Sequence, residues 1–94
     1  MASLHSKISI PSGVLYHELS GEAVILDLES GKYYGLDETG TRMWALLSEH
    51  GSLEPAYQAL LNEYDANPEQ LRGDLLKLTE ELVAHGLLRI IDDA

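Results

Sequence analysis

Four histidines, His5, His17, His50 and His85, are the residues most able to bind a metal or move a proton near neutral pH. Neither use is supported by their spacing. They read as surface or helix-end histidines, none taken as paired with another ligand on one face, so no metal site is predicted. His50 and His85 each precede a glycine, where a helix end would place a protonated imidazole favourably against the helix dipole. The carboxylate pairs Glu80-Glu81 and Asp92-Asp93 are adjacent, so they cannot converge on one reacting atom and read as solvated charges. With no cysteine there is no thiolate nucleophile, thiolate ligand or disulfide. Gly40 and Gly51 belong to no phosphate-cradling loop, and no nucleophile-elbow pattern occurs. The expectation is a non-catalytic protein that needs no cofactor.

The charge balance narrows the partners. Sixteen acidic residues against six basic ones leave a net charge of −10. Nucleic acid and anionic membranes are held by clustered Lys and Arg, so such a surface disfavours both and favours a basic partner. The N-terminus lacks a signal peptide's apolar core, and no run approaches the length of a membrane span. A cytoplasmic location is expected. With 94 residues, 45% of them hydrophobic, the expectation is one domain over residues 1–94, with 1–7 as a flexible tail.

The elements that must position any binding residue follow from punctuation and period. Ile8-Ser9-Ile10 meets Pro11-Ser12-Gly13 and reads as a turn or irregular edge. Residues 14–19 and 23–28 read as strands joined by Ser20-Gly21-Glu22, and Glu29-Ser30-Gly31-Lys32 turns into a third strand over 33–36. Short turns imply an antiparallel meander whose third strand is an edge unless covered. Asp37 then reads as the N-cap of a helix ending at Gly51, with Met43, Trp44 and Leu47 inward. A second helix opens at Ser52, whose hydroxyl can cap it. Ala56, Leu60 and Tyr64, with Tyr57 and Leu61, make its buried stripe. A third helix runs from Pro68 or Glu69 to His85, capped by Asn67. Its core stripe is Leu71, Leu75, Leu78 and Leu82, and Gly73, Lys77, Glu80 and Glu81 lie to solvent. Leu87-Leu88-Arg89-Ile90-Ile91 fits either a short strand or a packed tail. The pattern βββααα is α+β, and two short helices followed by a longer one suggest a winged helix-turn-helix arrangement.

A strand over 33–36 puts Tyr33 and Tyr34 on opposite faces. Tyr34 and Leu36 share one face and are assigned to the core, leaving Tyr33 exposed. On the third helix, Leu76, Thr79 and Val83, with Arg72 at their start, form a second apolar strip beyond the core stripe. It belongs either to a broad core face or to a groove between this helix and the edge of the third strand. Such a groove suits strand addition, in which an extended peptide pairs with edge amides while its side chains meet the helix. Periodicity leaves open which flank of the helix faces the strand, so Asp74 and Leu76 compete. Two rivals stand beside this reading. One is a winged-helix DNA-binding regulator, disfavoured by an acidic third helix. The other is a structural subunit whose groove is filled by its own tail or a second copy.

The run Gly31-Lys32-Tyr33-Tyr34-Gly35-Leu36-Asp37-Glu38-Thr39-Gly40, followed by Trp44, resembles the PqqD-like proteins, the recognition elements for ribosomally made precursor peptides. Asp74-Leu75-Leu76-Lys77-Leu78 and Leu82-Val83-Ala84-His85-Gly86-Leu87-Leu88 extend the resemblance, and Asp37 replaces an asparagine common among relatives. The resemblance implies binding of a leader peptide as a strand antiparallel to the third strand and against the third helix. It also implies delivery of the precursor to a leader peptidase or other maturation enzyme. The lasso-peptide branch is favoured over the pyrroloquinoline quinone branch, which serves a radical SAM enzyme. The candidate peptide-binding residues are Lys32, Tyr33, Tyr34, Gly35, Leu36, Arg72, Asp74, Leu75, Leu76, Thr79 and Val83. The expected state is a monomer or a weak or domain-swapped dimer.

Overall fold

A computed structural model describes residues 2–91; the Asp92-Asp93 pair lies outside them. The chain runs β1 (Lys7–Ser9), β2 (Val14–Leu19), β3 (Glu22–Asp27), β4 (Tyr33–Leu36), α1 (Glu38–His50), α2 (Leu53–Glu63), α3 (Pro68–Ala84) and β5 (Arg89–Ile91). As the sequence predicts, it is α+β, with a three-stranded antiparallel sheet in the order β2-β3-β4 followed by three helices. The β2–β3 hairpin turns on Ser20 and Gly21, both at positive φ (56° and 85°), the backbone twist that a two-residue connection favours.

The N-terminus departs from expectation. Ser6 is buried and Lys7 is already in strand, so residues 6 and 7 are not a loose tail. The segment read as an irregular edge is β1, paired antiparallel to β5 through Lys7↔Ile91, Ile8↔Ile90 and Ser9↔Arg89. This pairing joins residues 80 to 84 positions apart. No local pattern reports it, but it settles the C-terminal stretch as a strand. The other side of β1 binds the α1–α2 corner. Ile8 N–H donates to Gly51 C=O (2.9 Å), and Leu53 N–H donates to Ser6 C=O (3.2 Å). The second bond satisfies an amide at the start of α2, and the Ser52 side chain makes no capping bond, contrary to the sequence reading.

The core lies between the inner sheet face and the helices. Ala23, Ile25 and Leu36 meet Met43, Trp44 and Leu47 of α1, and Leu53, Ala56 and Leu60 of α2 continue it towards Leu71, Leu75 and Leu82 of α3. Tyr57, Leu61 and Tyr64 are only half-buried beside it. Asp37 caps α1 as expected, accepting from Gly40 N–H at 2.8 Å. Gly40 suits a close approach: a Cβ there would stand 3.2 Å from Asp37 Oδ1 and 3.3 Å from Leu36 Cδ2, so either side chain would have to give way by a few tenths of an ångström.

One turn further, Thr41 enters the sheet. Ala23 N–H donates to Thr41 Oγ1 (2.8 Å), and that hydroxyl donates to Leu36 C=O (3.4 Å). Ala23 and Leu36 are register partners, so the hydroxyl is inserted into the last rung of the β3–β4 ladder. Thr41→Val keeps the shape but leaves the buried Ala23 amide without a partner. Urea unfolding should then show a loss of about 1–3 kcal/mol, with Thr41→Ser losing less.

Candidate functional site

Both β2 and β4 are edge strands, and their backbone groups differ in what they face. Asp27 N–H donates to Lys32 C=O (2.9 Å), which fixes the alternation along the β3–β4 pair. Tyr34 and Leu36 turn their amides and carbonyls towards β3, so Tyr33 and Gly35 turn theirs outward. The same alternation on the far side leaves Tyr16 and Glu18 outward on β2. That edge is blunted by the charge of Glu18, and the Val14 amide at its start is taken by Pro11 C=O (3.1 Å).

The β4 edge has a helix beside it. The half-buried Tyr34 donates its hydroxyl to Glu81 Oε2 on α3 (2.7 Å), and its ring meets His85, with centroids 5.2 Å apart. At about 100° per residue, Asp74 and Leu78 share the flank of Glu81 and His85. This answers the question that periodicity left open. Asp74 lies on the strand-facing flank, and Arg72, Leu76 and Val83 lie on the opposite one. Val83 instead lines a small pocket with Ala2, Glu80, Ala84 and Ile90, on the β5 side of the molecule.

Other candidates also move. Leu75 and Thr79 are fully buried and offer no surface to a ligand. Thr79 takes the core position expected of Leu78, because its hydroxyl can donate to Leu75 C=O (2.8 Å) within its own helix and enter the core satisfied. Leu78 is half-buried. Glu81, read as solvent-facing, is half-buried under Tyr34. Leu36 is buried and Tyr33 is 76% exposed, as their alternation implies. Lys32, Tyr33 and Tyr34 are brought together with Asp27, Gly31, His85 and Leu87 around a pocket of about 420 Å³ at one end of the groove.

Asp27, Glu81 and His85 were absent from the sequence-based set. Asp27 shapes the turn into β4: its carboxylate accepts from Glu29 N–H and Ser30 Oγ, each at 3.0 Å. The Glu81/His85 interval of four, in register with Asp74, was the available signal. The groove carries acidic groups on both sides, with Asp27 on the strand side and Asp74 and Glu81 on the helix. Among the described residues, no group of three or more His, Asp or Glu could hold a metal ion.

The hydrogen bond to Glu81, aided by burial and by that residue's charge, raises the Tyr34 phenol above its usual value of 10.0. A group raised on folding adds stability below its unfolded pKa and loses it as pH rises through the folded one. The Tyr34 side of the Tyr34–Glu81 tie is therefore intact at neutral pH and is lost in alkali. Ultraviolet titration, taken as the difference from Tyr34→Phe, should show Glu81→Gln lowering this ionisation towards 10.

Residues 22–88 match the family model described as coenzyme PQQ synthesis protein D (PqqD). No curated protein sequence matches the chain. Among solved structures, TbiB1 in complex with the TbiA(beta) leader peptide is similar, with a TM-score of 0.81 and 32% identity over 89% of this chain and 98% of that one. A lasso peptide synthetase B1 complexed with the leader peptide has a TM-score of 0.78 and 22% identity, covering 88% and 98%; at that identity the likeness is one of fold. Two strands of the groove's sheet, all three helices and the Asp37–Thr41 junction fall inside the matched span, and the chain belongs to the PqqD family.

Proposed function

We propose that this protein recognises the leader region of a ribosomally made precursor peptide by strand addition, and delivers it to a leader peptidase in lasso-peptide biosynthesis. It acts in the cytoplasm as a single domain and performs no chemistry itself. The observation that carries this reading is the open β4 edge, with Tyr33 and Gly35 facing outward beside the Asp74–Leu78–Glu81–His85 flank of α3. An extended peptide pairing there would satisfy both outward amides, and alternate side chains would drop towards Tyr34 and α3. Support comes from the leader peptides named in the two similar structures. The family's description supports the second reading, service to a radical SAM enzyme in pyrroloquinoline quinone synthesis. The second similar structure is described as a lasso peptide synthetase B1, which favours the first reading.

The binding set proposed from the geometry is the backbone of residues 32–36 with Asp74, Leu78, Glu81 and His85 opposite. The acidic lining would favour a leader with basic residues. A winged-helix likeness in the helices does not make α3 a DNA reader, since Arg72 and Lys77 stand there against Glu69, Asp74, Glu80 and Glu81.

Titration of a fluorescent leader peptide tests the assignment. Gly35→Pro removes an outward amide without touching the β3–β4 ladder, and should weaken binding about tenfold or more. Asp74→Lys should weaken binding of a basic leader several-fold, on the order of 3- to 10-fold. Val83→Gln, on the other flank, should leave affinity unchanged. The reverse ranking in folded variants would remove the peptide from this groove.

A further inference from the structure

The Tyr34 side chain leaves the inner face of β4 and ends on α3, its hydroxyl 2.7 Å from Glu81 Oε2. It therefore spans the space between the strand edge and the helix. Its ring is braced by His85 at the end of α3, with centroids 5.2 Å apart and planes tilted by 48°. The residue is half-buried, so part of this span stays open to the groove. Strand and helix run in opposite senses here: Lys32 and Tyr33 meet His85 and Leu87 around the pocket of about 420 Å³, which leaves Leu36 at the end towards Leu78 and Asp74. Tyr34 thus lies as a crossbar between two compartments. On the side of the β3–β4 turn is the pocket; on the other, Leu36 is buried on the strand and Leu78 half-buried on the helix. The core does not call for a phenol at this place, since the register partner Ile25 is fully buried without a polar atom in its side chain.

The register of an added strand makes the crossbar selective. Tyr33 and Gly35 turn their amides and carbonyls outward, so an antiparallel peptide exchanges hydrogen bonds with each of them. The peptide residue between those two pairs stands opposite Tyr34 in a non-hydrogen-bonded pair, the kind with the closer Cα spacing of about 4.5 Å. Its side chain points to the same face as the phenol. Inward side chains two residues before or after it fall about 7 Å to either side and clear the crossbar. A large side chain opposite Tyr34 meets a ring that is hydrogen-bonded at one end and packed on an imidazole. That ring cannot turn aside without giving up its bond to Glu81.

We propose that the Tyr34–Glu81 crossbar is a steric selector for the leader peptide. It admits a strand whose residue opposite Tyr34 is Gly, Ala or Ser and excludes one with a large side chain there, while large inward residues two positions away are accepted. The inference rests on the strand-addition reading and adds to it a requirement on the sequence of the ligand. Tyr34 is the residue that meets the peptide. Glu81 is a positioning residue: at this point it acts as the acceptor that holds the ring, and its charge is not needed for the selection.

An exchange of bulk between peptide and protein tests this. Fluorescent leader peptides, each with one residue of the paired stretch replaced by tryptophan, are titrated against wild type, Tyr34→Ala, Glu81→Ala and Glu81→Gln, and thermal melting checks folding. Wild type should lose about tenfold or more in affinity for tryptophan at one position, and less at the inward positions two residues to either side. Tyr34→Ala should bind that same peptide within about threefold of the unsubstituted one. Glu81→Ala keeps the ring but frees it, and should recover part of the loss. Glu81→Gln still offers an acceptor oxygen to the phenol and should keep the exclusion. If Tyr34→Ala does not fold, the contrast between Glu81→Ala and Glu81→Gln decides. The crossbar is overturned if wild type binds the unsubstituted peptide yet singles out no position, or if the exclusion persists in folded Tyr34→Ala and Glu81→Ala. It is overturned as well if Glu81→Gln relieves the exclusion as fully as Glu81→Ala, since charge would then be the cause. Failure of wild type to bind any leader peptide removes the strand-addition reading and this inference together.

Discussion

The Thr41 hydroxyl sits where a ladder hydrogen bond would otherwise close the sheet, between Ala23 N–H and Leu36 C=O. Because Thr41 lies on α1, the helix is tied to the end of the β3–β4 ladder. Gly40 permits that approach and Asp37 starts the helix at the right residue. The remaining elements follow in series. α1 carries α2 through a corner held by β1, and α2 carries α3. The loop closes where Tyr34 of β4 reaches Glu81 of α3. A groove of defined width between a strand edge and a helix results from these few constraints, although β4 is only four residues long.

Much of this could be read from the residues because it is local. Asp37 and Asn67 cap helices by side-chain bonds two or three residues away, and Ser20-Gly21 supplies the positive φ values of its hairpin. The alternation of Tyr33, Tyr34 and Leu36 correctly divides exposed from inward residues. What periodicity could not give is the rotation of α3 about its axis. Both flanks beside the core stripe carry leucines, and the choice is made by a contact 47 positions apart in sequence, Tyr34 to Glu81. For the same reason Thr79 passed for a groove residue. A threonine's polarity suggests surface, while its bond to Leu75 C=O lets it be buried at no loss of pairing. The β1–β5 pair joins the two ends of the chain and has no local signal at all.

The small sheet thus has three surfaces with different tasks. Its inner face is core. Its β4 edge offers two outward amides beside an acidic helix flank, whereas the β2 edge is guarded by Glu18 and the Pro11 turn. Its outer face stays apolar and uncovered. A strand added at β4 would touch the first two surfaces and extend the third. The proposed peptide recognition and presentation to an enzyme are then compatible within this one small sheet.

Amide hydrogen exchange, followed residue by residue with and without leader peptide, tests the central claim most directly. Strand addition at β4 predicts new protection at the Tyr33 and Gly35 amides and none at Tyr16 or Glu18. Protection on the β2 edge, or on α3 alone with Tyr33 and Gly35 still exchanging freely, would contradict it.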